Sequence, residues 1–307
     1  MSILVIGRQG QLAQSLSAAA SASGRHVTIV GRPEADLATP ESIVEAIAAA
    51  RPSVVINAAA YTAVDRAESE SNLAFAINAD AVGHIGRVCT DIGAATLHVS
   101  TDYVFDGSKS APYLETDPVA PLGAYGASKA AGEDQLRAAN PRHVILRTAW
   151  VYSPYGSNFL KTMLRLASER PVLSVVNDQR GNPTYAPFLA SLILQIADTI
   201  EGNPAGDSWG TYHASGSGEA TWYEFAREIF ERGRQHGFPS PEVKPITTAE
   251  YPTPAARPAN SRMNCAKLRE KFGVSLPHWR TGVADCIEAI APVGATYCDQ
   301  SRERTPR

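Results

Sequence analysis

Cysteine is scarce and unpatterned in this chain. The four residues, Cys89, Cys265, Cys286 and Cys298, form neither a CxxC pair nor a zinc-ligand spacing. That argues against a disulfide framework or structural zinc and for free thiols in a reducing compartment. Long apolar runs are missing too. The N-terminal run Ile3–Ile6 stops at Gly7 with no basic segment before it, too short for a signal peptide or a membrane span. Nor does either sign of charge dominate: the formal net charge is −3, which gives no reason to expect nucleic acid or an anionic membrane as partner. An anionic small molecule stays open, because a few placed basic groups suffice for it. The expectation is a cytoplasmic globular protein, and 307 residues leave room for one large α/β domain or two smaller units.

What is there is alternation. Apolar β-branched runs at Ile3–Ile6, His26–Val30, Val54–Asn57, Thr96–Ser100 and His143–Arg147 predict strands. Between them Gln11–Ala22, Pro40–Ala50, Glu70–Asp91 and Ala124–Ala139 predict helices. Continuous apolar strands separated by helices predict a doubly wound parallel, Rossmann-type α/β sheet. Beyond Arg147 the order loosens. Val172–Val176 reads as a strand, Asn177–Tyr185 as a loop, Ala186–Ile200 as a helix and the proline-rich Pro239–Asn260 as irregular chain. The expected division is residues 1–148 and about 183–212 for a dinucleotide, with about 149–182 and 213–291 as a smaller C-terminal substrate-binding α/β part. Residues 292–307 are expected to be a disordered tail.

The first strand runs into Gly7-Arg8-Gln9-Gly10-Gln11-Leu12-Ala13. Gly7 permits a sharp turn, Gly10 a close approach of backbone to pyrophosphate, and Ala13 close packing of helix on sheet. The N–H groups of Gln11 and Leu12 at the helix start favour a diphosphate. A tight turn of purely structural use has the same glycines, so context carries this reading: strand before, helix after, βαβ unit begun. The second strand ends Val30-Gly31-Arg32, without the acid that would bind a 2′-hydroxyl. Arg32 is either a surface cation or the partner of a 2′-phosphate, and the missing acid favours NADPH. Asp36 and Leu37, slightly downstream, could meet the adenine, which keeps NADH open.

Tyr125-Gly126-Ala127-Ser128-Lys129 opens an alanine-rich helix. Residues i and i+4 share a face, so phenol and ammonium can converge, and a buried lysine favours the phenolate. Such a pair can exchange a proton with a carbonyl or hydroxyl oxygen. Upstream, the strand ending Ser100-Thr101 sets a hydroxyl at the carboxyl edge of the sheet, where doubly wound folds bind ligands.

A strand-end threonine followed by Tyr-x-x-x-Lys resembles the extended branch of the short-chain dehydrogenase/reductase superfamily. Within it, Asn57–Asp65, Ser100–Gly107, Arg147–Tyr152, Asn158-Phe159, Asp178–Thr184 and Arg257–Ser261 are similar to the dTDP-4-dehydrorhamnose reductases, from Gly7 to about Trp279. The resemblance implies reduction of the C4 ketone of dTDP-6-deoxy-L-lyxo-4-hexulose to dTDP-L-rhamnose. Tyr125 would protonate O4, Lys129 would poise Tyr125 and hold the nicotinamide ribose, and Thr101 would polarise the ketone. Ala58, Ala59 and Ala60 would lie beside the cofactor. Val64, Asp65, Tyr103, Trp150 and Asn158 would belong to the substrate site, although Trp150 also reads as core. Arg257 or Arg262 could pair with the substrate diphosphate, and Asn177 and Gln179 are comparable loop candidates.

Local departures sharpen this. Sister 4,6-dehydratases carry Asp-Glu after the strand-end threonine, whereas here Asp102 precedes Tyr103, so elimination lacks its base. The metal-bridged dimers of some relatives use carboxylates in regions that here read Gln14-Ser15 and Pro187-Phe188-Leu189-Ala190. No metal is therefore expected, and the chain should be a monomer or a weak homodimer without bridging metal. A reductase or epimerase on another nucleotide sugar, and a non-catalytic NADP-binding regulatory subunit, are the rival readings. The intact Thr101, Tyr125 and Lys129 weigh against the last.

Overall fold

The computed structural model describes residues 2–291, so Cys298 and the expected tail at 292–307 lie outside the described residues. The strands of four or more residues are β1 (Ile3–Ile6), β2 (Val27–Val30), β3 (Val54–Asn57), β4 (Ala95–Thr101), β5 (His143–Thr148), β6 (Val172–Val176), β7 (Gly210–His213) and β8 (Glu242–Ile246). The main helices are α1 (Gln11–Ala22), α2 (Pro40–Ala50), α3 (Ala81–Asp91), α4 (Ala124–Ala139), α5 (Phe159–Glu169), α6 (Ala186–Gly202), α7 (Trp222–Arg234) and α8 (Trp279–Ile290).

Six strands form one sheet in the order β7-β5-β4-β3-β1-β2, every neighbouring pair parallel. Side chains alternate across it. Ile3 and Val5 of β1 pack with Leu12 and Leu16 of α1 and Ile193 of α6, whereas Leu4 and Ile6 pack with Ile43 and Ile47 of α2 and Ile85 of α3. Both faces are therefore covered, which is why these strands read as unbroken apolar runs. The strand order reverses between β1 and β3, so the crevice for a ligand opens at their carboxyl ends.

The expected single helix Glu70–Asp91 is three pieces end to end: Ser71–Phe75, a π-helical turn Ala76–Asp80, and α3. The wide turn lies against α4 so closely that a Cβ on Gly132 would come 2.0 Å from the Asn78 carbonyl oxygen. Only glycine fits there.

The C-terminal part has its own core, in which Tyr152, Leu160 and Met163 meet Phe225, Ile229, Trp279 and Val283. Here one expectation is corrected. Pro239–Asn260 is not irregular throughout: Glu242–Ile246 forms β8, parallel to β6. The Glu242 N–H bonds the Pro171 carbonyl, so by alternation Pro245 turns its missing N–H away from β6 and breaks no ladder bond. Among the described residues no helix is long and apolar enough to cross a membrane.

Candidate active site

The glycine turn meets its geometric requirements. Gly7 has φ +123°, donates its N–H to the Val30 carbonyl at 2.8 Å, and leaves only 3.4 Å between a built Cβ and both Ala13 and the Ala58–Ala59 peptide. A side chain would be strained there. Gly10 caps α1 without a side-chain bond, and a Cβ on it would meet nothing within 4 Å among the described residues. The first turn of α1 has no acid, so its free N–H groups present an uncompensated positive end. Ala58, Ala59 and Ala60 leave β3 beside it, half-buried.

The other cofactor candidates fall into two groups. Arg32 is exposed, and its carbonyl accepts a long bond from Arg8, which also pairs with Glu34 at 2.8 Å. By contrast, the side chains of Leu12 and Leu37 are buried in the two cores of the sheet, and Asp36 caps its own turn through the Ala38 N–H. Gln11 spans from α1 to the second part, where its Oε1 accepts from Ser153 and Asn158. Asn158 is fully engaged, since it also bonds the Ser153 carbonyl and caps α5 through the Lys161 N–H.

Thr101 is the last residue of β4, opposite Thr148 of β5. Tyr125 lies in the first turn of α4, and its ring meets that of Tyr103 edge-on at 5.7 Å. A clamp that sequence reasoning missed sets the register of α4. The Asn78 amide bonds both the N–H and the carbonyl of Tyr61 and the Ser128 hydroxyl, at 2.9–3.0 Å. It thus ties the loop after Ala60 to the helix that carries Tyr125 and Lys129. A π turn inside an expected α-helix has no simple sequence signature.

Lys129 is buried and points inward, donating to the Val99 carbonyl at 2.7 Å, with His98 Nε2 at 3.2 Å. Behind it, His98 Nδ1 lies 3.1 Å from the Asn57 amide nitrogen, while Asn57 Oδ1 accepts from the Ala59 N–H. That last bond fixes the amide and gives His98 the tautomer with its hydrogen on Nε2. Lys129 therefore faces a donor, and burial pulls its ammonium down to about 8, with Glu133 opposing. Burial, and then the Lys129 charge, holds His98 well below the usual imidazole range. The signal for these residues was present in the sequence, because Asn57 and His98 interrupt otherwise apolar strands.

One expected effect is corrected here. Lys129 does not lower the Tyr125 phenol in this arrangement. Burial pushes that phenol up to about 12, with the Thr101 hydroxyl working against it and the Asp102 charge adding to it. The reason is that Lys129 points inward and gives its bond to the Val99 carbonyl instead of the phenol. One turn further along α4, buried Glu133 accepts from Ser100 at 2.6 Å and from Arg147 at 2.6 and 2.9 Å. Burial works to raise Glu133, but Arg147 wins and holds it below the usual carboxylate range.

Asp65, Tyr103 and Arg257 come together. Arg257 donates to both oxygens of Asp65 at 2.9 Å, with its guanidinium 5.9 Å from the Tyr103 ring centre. Val64 starts the short helical turn that carries Asp65. Arg262 is already paired with Glu219 and bonded to Asn260.

Trp150 has φ +46° and stacks on Trp222, with ring centres 3.5 Å apart. Gly181 makes room for it, since a Cβ there would lie 2.5 Å from the indole. Asn177 and Gln179 serve the start of α7. Asn177 accepts from the capping Thr221 hydroxyl, and Gln179 accepts from the Trp222 indole N–H. Trp222 was not singled out from the sequence, where nothing distinguishes it from a core aromatic.

The chain matches the model of the RmlD substrate binding domain over residues 1–291. It is 44% identical to the dTDP-4-dehydrorhamnose reductase of Sinorhizobium fredii, covering 94% of this chain and 98% of the relative. The structure of a dTDP-4-dehydrorhamnose reductase from Clostridium acetobutylicum superposes with a TM-score of 0.87 at 36% identity, covering 94% of this chain and 99% of that one. The Bacillus anthracis dTDP-4-dehydrorhamnose reductase, solved in complex with NADP, gives 0.87 at 34% identity with the same coverage.

Proposed function

The chain belongs to the RmlD substrate-binding-domain family, and on that premise we propose that it reduces dTDP-6-deoxy-L-lyxo-4-hexulose at C4 to dTDP-L-rhamnose. The observation that carries this reading is the meeting of Thr101, at the end of β4, with Tyr125, in the first turn of α4, at the carboxyl edge of the sheet that also carries the glycine turn. NADPH is the cofactor, with NADH as an alternative. The site fits such a dinucleotide: Gly7 holds a backbone turn that strains a side chain, Gly10 leaves its surroundings open, and the start of α1 offers uncompensated N–H groups. When bound, the cofactor supplies hydride to C4.

The protein's own groups do the rest. Tyr125 carries its proton at neutral pH, because burial holds the phenol high, and gives it to O4 as negative charge develops there. The Thr101 hydroxyl hydrogen-bonds the same oxygen. Lys129 binds the nicotinamide ribose once it leaves His98. Gly7, Gly10, Gln11, Leu12 and Ala58–Ala60 hold the dinucleotide, and Arg32 and Asp36-Leu37 flank its adenosine, with buried Leu12 and Leu37 acting through backbone and packing only. Tyr103, Trp150, Val64 and Asp65 line the sugar pocket, with Arg257 toward the diphosphate and Asn158, Asn177 and Gln179 at its margin. Residues 1–148 and about 183–212 take the cofactor; about 149–182 and 213–291 take the sugar nucleotide. We expect a cytoplasmic monomer or weak homodimer without bridging metal, with no nucleic-acid or membrane partner.

The test is NADPH consumption with freshly generated keto-sugar nucleotide, the product weighed by mass spectrometry. A gain of two hydrogens establishes the reaction. Saturable NADPH binding without turnover would instead favour another nucleotide sugar or a regulatory subunit.

A further inference from the structure

Asp102 has no part in the reaction described so far, yet it touches one of the groups that does. The Thr101 hydroxyl has one hydrogen to give and two lone pairs to fill. The Tyr103 N–H occupies one lone pair at 3.2 Å, the Tyr125 phenol adjoins the hydroxyl until it turns to the sugar O4, and the hydrogen goes to Asp102 Oδ1 at 3.1 Å. A hydroxyl that spends its single hydrogen on a carboxylate cannot also give it to a ketone oxygen.

Taking the ketone reductase reading as given, we propose that Asp102 is the proton switch of this site: only its protonated carboxyl, by donating to Thr101, frees the Thr101 hydrogen for the sugar O4. The valences then close. Thr101 accepts from the Tyr103 N–H and from the Asp102 O–H and donates to O4, while Tyr125 gives its own proton to the same oxygen. When Asp102 loses its proton to solvent, the Thr101 hydrogen swings back and the ketone keeps one donor instead of two. Asp102 is a positioning residue here, acting through Thr101.

The surroundings of the carboxyl suit that task. Asp102 is 2% exposed, and its Oδ2 has no hydrogen-bond partner among the described residues. The hydroxyls of Thr101 and Ser261 adjoin it, and the titratable groups that face it are the phenols of Tyr103 and Tyr125. Arg257, the cation near Tyr103, is paired with Asp65. Burial raises the carboxyl to about 6, only partly offset by the Ser261 and Thr101 hydroxyls. A surface aspartate could not serve, because it would be ionised throughout the working range.

The experiment is the pH profile of kcat/KM for the keto-sugar in the parent, in Asp102→Asn and in Thr101→Val, together with an infrared titration of the parent minus Asp102→Asn. In the parent, kcat/KM should fall above the Asp102 pKa to a lower plateau, that of the site with Tyr125 as its one donor. Asp102→Asn donates through its amide at every pH and should lose that limb. Thr101→Val should be slower at every pH and should lack the limb as well, since Asp102 acts only through that hydroxyl; this arm decides if Asp102→Asn does not fold. A fall near pH 6 that survives in either variant overturns the proposal, whereas one near pH 8 belongs to Lys129. The infrared arm needs no turnover and so separates this proposal from the assignment of substrate. A carboxyl band titrating near neutrality supports the switch, and ionisation at the ordinary aspartate value of 3.8 overturns it even if the reductase reading holds.

Discussion

Trp150 and Trp222 stack face to face, their ring centres 3.5 Å apart and their planes within 6°. The pair joins the segment that follows β5 to the first residue of α7, both within the C-terminal part, at the rim of the proposed sugar pocket. Trp150 holds a left-handed backbone to do so, a conformation that costs a non-glycine residue energy and persists only where packing enforces it. Removing the support should therefore be felt at the substrate. For Trp222→Ala we expect KM for the keto-sugar to rise at least about tenfold, as for loss of an aromatic anchor, with a smaller change in kcat. NADPH affinity, measured by fluorescence titration, should stay near that of the parent.

Gly181→Ala tests the same contact from the other side. A methyl 2.5 Å from the Trp150 indole forces the stack to shift, and overpacking of this kind costs about 1–3 kcal/mol. Urea unfolding should report that loss, accompanied by a raised KM. Parent-like values in both would mean that the indole has room to move.

Tyr125→Phe removes the proton donor and little else. Turnover should drop by roughly 10²–10⁴-fold while NADPH still binds. Activity within about twofold of the parent would remove Tyr125 from its role as the acid.

Glu133 gives a stability prediction with a definite sign. Its pKa is lower in the folded protein than its ordinary value of 4.5, so its contribution is present above that value and is lost as pH falls through the folded pKa. Glu133→Gln leaves Arg147 buried without its counter-charge, which should cost about 3–5 kcal/mol at neutral pH. The difference from the parent should shrink on acidification, read as converging urea midpoints. A constant gap across that range would mean that charge pairing is not the cause.

Assembly offers a simpler check. Light scattering before and after chelation should give the same mass, because the regions around Gln14 and Pro187 have no carboxylate to bridge a metal. A dimer that falls apart on chelation would contradict this.

The sequence by itself determined the sheet, its strand ends and the glycine turn. Buried strands must be apolar on both faces and glycine must occupy the strained turn, so β1 and Gly7 could be read directly. The strand-end hydroxyl and the Tyr-x-x-x-Lys spacing follow from strand ends and helical periodicity, which are also local. Only the tertiary structure decided what those groups touch. Lys129 turned out to face His98 rather than Tyr125 because strand β4 packs behind α4, a contact between residues 31 apart. Asn78 became a clamp because a π turn fits the space that Gly132 leaves. Trp222 became the stacking partner of Trp150 because α7 crosses to it, and β8 formed because β6 offered a parallel edge in which Pro245 breaks no bond. Each of these depends on partners distant in the chain, and periodicity reports only which face a residue takes, not who meets it there.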